Sequence, residues 1–101
     1  NPWQVALVKA RWGIAALEAG DAEQAGPLLE QAAELAPNVA SSAKIEGLSR
    51  FGLAKLALAD GDRETAATQS TAALAVLQAR GLAPAAEVAA WRAEQGFSSP
   101  P

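Results

Sequence analysis

The chain has 101 residues, one domain's worth, and at that size roughly two-thirds of the unfolded surface is buried on folding. It has no His, Cys, Met or Tyr and a net charge of −3, which excludes disulfides, zinc-finger spacing, a thiol nucleophile and the commonest general base. Acidic and basic residues are interleaved, so there is no basic stripe for nucleic acid, and no apolar run approaches the roughly 18 residues of a membrane span.

Half of the residues are apolar, but much of that is alanine. Alanine favours helix and lets helices approach closely, while the core must rest on a few large side chains. The chain opens on Asn1-Pro2-Trp3, with no initiator Met and no signal-peptide pattern. It reads as a piece of something longer, and a cytoplasmic setting is favoured.

The first predicted helix covers about residues 3–19 and ends at Gly20, which can take a positive φ. Asp21 then caps a second helix over about 22–35. Gln24 follows at a variant of the capping-box spacing, and Glu23 falls where the helix dipole favours an anion. Pro27 lies inside this helix and removes one hydrogen bond; Pro37-Asn38 closes it. A third helix is expected over about 41–59, with Ser41 or Ser42 as cap. A fourth runs from about 63 to 80, opened by Asp62 and stopped by Gly81. Pro84 starts a shorter fifth helix, about 84–95, with Gly96 at its end. The tail 98–101 is expected to be disordered.

Two of these turns repeat each other. Leu17-Glu18-Ala19-Gly20-Asp21-Ala22-Glu23-Gln24-Ala25 matches Leu58-Ala59-Asp60-Gly61-Asp62-Arg63-Glu64-Thr65-Ala66 in the frame L-x-x-G-D-x-E-x-A. Gly20 and Gly61 stand 41 residues apart, as do Ala32 and Ala73. Each frame reads as helix, tight turn, helix.

These residues resemble a tetratricopeptide repeat, whose unit is about 34 residues. In the first unit Gly13, Ala25, Leu29, Ala32 and Pro37 fit the pattern; in the second, Leu53, Ala54, Ala57, Ala66 and Ala73 do. The longer period departs from it, as do Lys9 and Arg50, which replace a bulky residue. Longer units of this kind resemble helical segments of large bacterial signalling ATPase regulators. The resemblance implies an all-α, tetratricopeptide-like α-solenoid over residues 1–97: two antiparallel helical hairpins and a C-terminal capping helix. It implies a protein or peptide partner, no cofactor and no enzymatic role.

In that family the first helix of each hairpin lines a concave groove. The matching stripes are Leu7, Arg11, Ile14 and Glu18 on the first helix, and Leu48, Gly52, Lys55 and Ala59 on the third, with Phe51 beside them. Leu7, Arg11, Ile14, Leu48, Phe51 and Lys55 are therefore the expected partner-binding residues. The family's two-carboxylate clamp is absent, because Asn1 and Asn38 lie off these faces. Trp12 is expected in the inter-helix core. Trp3 and Trp91 are expected either to cap the core or to present surfaces for neighbouring repeats, so a homodimer is open. Glu30/Glu34 and Asp60/Asp62 read as a solvated face and a capped turn rather than acid–base pairs. The alternatives kept are a regulatory segment of a larger bacterial transcription regulator or signalling ATPase, and a plain helical dimerisation domain.

Overall fold

The computed structural model describes residues 2–36 and 43–97, with side chains from Gln4 onward. The expectations for Trp3, Pro37-Asn38, Ser41, Ser42 and the tail 98–101 lie outside the described residues. Those described form five α-helices and no strand: α1 (Pro2–Glu18), α2 (Ala22–Leu35), α3 (Ala43–Ala59), α4 (Arg63–Ala79) and α5 (Pro84–Glu94). Each lies within about two residues of the bounds expected from its caps. α2 continues through Pro27 without interruption.

The repeated frame builds the same turn twice. Gly20 has φ 81° and Gly61 has φ 85°, values that an L side chain rarely adopts. In the first turn, Asp21 N donates to Ala16 O at 2.8 Å and Gly20 N to Leu17 O at 3.1 Å. In the second, Asp62 N donates to Ala57 O at 2.8 Å and Gly61 N to Leu58 O at 3.0 Å. This paired pattern satisfies carbonyls that the helix end leaves open. The aspartates then open the next helix. Asp21 Oδ1 accepts from Gln24 N at 3.3 Å, and Asp62 Oδ1 accepts from Thr65 N at 3.0 Å. The Asp21 N–H is committed to Ala16 O, so Gln24 contributes its backbone donor rather than a reciprocal side-chain bond.

α1 packs on α2, α3 on both of them and on α4, and α5 on α4. The assembly is a slab of 38 × 30 × 18 Å. Its interface residues are small, and a few larger chains fill what remains. Ala6, Ala10, Ala32 and Ala36 meet Ile45 in one cluster. Ala16, Ala25 and Leu29 form a second, with Leu53 and Leu56 from α3 against it. Phe51, Leu74, Leu77 and Val88 form the third, under α5. Leu29 and Leu77 are fully buried, each contributing about 1.5–3 kcal/mol of hydrophobic stabilisation.

Trp12 is not in this core, contrary to expectation: it is 60% exposed. The face of α1 that meets α2 runs through Ala6, Ala10, Gly13 and Ala16, and Leu28 and Leu29 come close to Gly13. Residue 12 lies one step, about 100°, around the helix from Gly13 and points away. Lys9 and Arg50 tie each hairpin together by their polar ends. Lys9 Nζ donates to Gln31 Oε1 across α1 and α2. Arg50 Nη1 donates to Gln69 Oε1 at 3.2 Å across α3 and α4.

Of the two readings for Trp91, packing against the core is what is found. Its ring meets Phe51 edge-on, with centroids 5.4 Å apart, and Phe97 at 5.9 Å. Beneath it, Arg92 is 6% exposed. Its Nη1 donates to Ser70 Oγ at 2.5 Å and to Ala67 O at 3.0 Å. Ser70 stands 41 residues after Leu29. The second hairpin thus carries a small hydroxyl where the first carries a large apolar side chain, and α5 supplies the arginine that occupies the room.

Candidate protein-binding cleft

A cleft of about 480 Å³ opens between α1 and α3. From α1 it is lined by Leu7, Ala10, Arg11 and Ile14, and from α3 by Lys44, Ile45 and Leu48. Two features of the sequence create it. Ala10 on the α1 side is too small to fill the space beneath the rim. Ile45 and Leu48, three residues apart on α3, then face Leu7 and Ile14, seven apart on α1, so that each set projects from one side. Leu7, Ile14 and Leu48 are half-buried, Ile45 is buried, and Arg11 and Lys44 are exposed. The result is an apolar floor with a cation contributed by each helix. None of the described residues lining it is acidic, although the chain as a whole is net negative.

The structure brings Leu7, Arg11, Ile14 and Leu48 together here, as the stripes suggested. Phe51 and Lys55 do not line the cleft. Phe51 is only 4% exposed and belongs to the cluster with Leu74, Leu77 and Val88, so it faces α4 and α5 rather than a partner. Lys55 lies over that ring, with Nζ 4.2 Å from its centroid. Its ammonium is engaged in a cation–π contact instead of reaching the rim. Of the remaining stripe residues, Gly52 is buried against Leu29, and Glu18 and Ala59 are exposed outside the cleft. Lys44 and Ile45 were missed. They lie four and three residues before Leu48, so continuing the α3 stripe one turn toward its N-terminus would have found them.

Among the acidic residues of the repeated turns, Asp62 caps α4 with its side chain. Asp62 accepts from Thr65 N and from Thr65 Oγ1, the latter at 2.6 Å. The Thr65 hydroxyl and backbone N–H bonds hold its carboxyl below its ordinary value. Among the described residues no group of three or more His, Cys, Asp or Glu converges as a metal site, and no helix is long and apolar enough to cross a membrane.

No family model, curated protein or solved structure matches the chain.

Proposed function

We propose that the chain is a tetratricopeptide-like interaction module that holds an extended peptide or helix of another protein in the α1–α3 cleft. The observation that carries this reading is the convergence of Leu7, Ile14, Ile45 and Leu48 beneath Arg11 and Lys44. An apolar floor with cations at its edge suits an amphipathic segment that offers apolar anchors and carboxylates. Further support comes from the recurrence of the Gly-Asp-x-Glu turn and from α3 packing on both helices of the preceding hairpin.

The experiment is a selection of 15-residue peptides displayed against the full chain, followed by titration of a selected peptide. Selected sequences are expected to combine Leu, Ile or Phe with Asp or Glu. The double variant Arg11→Glu, Lys44→Glu is expected to weaken binding about tenfold or more, while Lys55→Glu is expected to leave affinity nearly unchanged. An affinity unaffected by the double reversal would remove the cleft from the proposal.

A further inference from the structure

The three large apolar side chains that stand exposed among the described residues all lie on α1: Val5 at 42%, Val8 at 57% and Trp12 at 60%. They recur at i, i+3 and i+7, on one face of the helix and away from the cleft residues Leu7 and Ile14. The 41-residue period says what such a face does. Val5, Val8, Trp12 and Ala15 correspond to Glu46, Ser49, Leu53 and Leu56 of α3; Glu46 is paired with Arg50 on the same helix. Ser49 is fully buried, and Leu53 and Leu56 pack against Ala16, Ala25 and Leu29 of the first hairpin. The surface that α3 covers with its neighbouring hairpin is the surface that α1 leaves open.

Arg11 makes the match selective. It corresponds to Gly52, where a Cβ would come 2.7 Å from Leu29 Cδ1. A hairpin with leucine at that place leaves no room for a side chain, so it excludes arginine. A serine there admits one, as Ser70 does in accepting from Arg92 Nη1.

We propose that the outer face of α1 docks a helical hairpin of a partner polypeptide, whose second helix carries a small polar residue opposite Arg11. A second copy of this chain fits poorly. Among the described residues, its Ser70-type face is closed by Val88, Trp91 and Arg92 of α5. Pairing two α1 faces would bring Arg11 near its own counterpart, and like charges facing each other oppose association. The inference rests on the helical-repeat reading; it shares Arg11 with the cleft rim, and its readout is Trp12, which does not line the cleft.

The test is a fusion in which residues 42–82 are duplicated ahead of residue 1 of the full chain. This preserves the 41-residue period and sets a copy of Ser70 opposite Arg11. In the unfused chain, Trp12→Ala is expected to move Tm by no more than about 1 °C. In the fusion it is expected to lower Tm by about 5 °C, with acrylamide quenching of Trp12 reduced beforehand. Ser70→Leu in the added hairpin is expected to abolish both differences. The proposal is overturned if Trp12→Ala is equally silent in both proteins while circular dichroism shows the added hairpin to be helical. It is overturned as well if the unfused chain sediments as a dimer that Trp12→Ala dissociates, since the occupant would then be a second copy.

Discussion

Leu29 of α2 occupies the space that a Cβ on Gly52 of α3 would need, with its Cδ1 2.7 Å from that position. The leucine cannot retreat, because on its other side a Cβ at Gly13 would meet its Cγ at 2.8 Å. One fully buried side chain therefore sets the separation of three helices. Gly52→Ala is expected to destabilise the protein by about 1–3 kcal/mol through overpacking, despite a helix-propensity gain of up to about 1 kcal/mol. Urea unfolding measures the difference. Combining Gly52→Ala with Leu29→Ala should show strong coupling between the two sites, and simple additivity would mean that they are not in contact.

The serine that replaces Leu29 in the second hairpin is tied to α5. Ser70→Leu would restore the residue of the first hairpin, but it would fill the place now held by the Arg92 guanidinium. The expected outcome is release of α5, seen as faster amide exchange over Pro84–Glu94 and a red-shifted Trp91 emission, with α1 and α2 unaffected. Retained protection in α5 would show that Val88 and Trp91 alone secure it.

The tryptophans should divide sharply in their effect on stability. Trp91, packed on Phe51 and Phe97, is expected to cost about 3 kcal/mol when changed to Ala. Trp12→Ala in the same assay should fall within about 0.5 kcal/mol of the parent. Equal costs would contradict the placement of Trp12.

Asp62 gives a pH dependence of known sign. Its folded pKa lies below its ordinary value because Thr65 donates to it twice. Its stabilising contribution is therefore present above the unfolded carboxylate pKa, near 3.9, and is lost as pH falls through the lower folded value. Asp62→Asn is expected to lower Tm at pH 6, with the gap to the parent closing as pH falls below about 4. A gap that stays constant over that range would show that the capping bonds do not depend on the ionised carboxylate.

Much of the helical framework was legible because its punctuation is local. Gly20-Asp21 and Gly61-Asp62 state where one helix stops and the next starts, independently of what packs around them. The cleft was partly legible for a similar reason: Leu7, Arg11 and Ile14 keep helical spacing, as does Leu48 with its neighbours. What the residues of one helix do not state is its rotation. In chains this rich in alanine, small apolar residues occur on several faces, so the buried stripe is poorly marked. An uncertainty of one residue, about 100° of rotation, separates Trp12 in solvent from Gly13 in the core. The same ambiguity put Phe51 beside the groove when it faces α4. The Ser70–Arg92 pair joins residues far apart in the chain, and neither carries a local signal for the other.

The most direct measurement is methyl chemical-shift mapping of the full chain during titration with a selected acidic, apolar peptide. The expected result is saturable shifts at Leu7, Ile14, Ile45 and Leu48, with Val88 and Leu77 unmoved. Shifts confined to Val5 and Val8, or spread evenly over the protein, would contradict binding in the α1–α3 cleft.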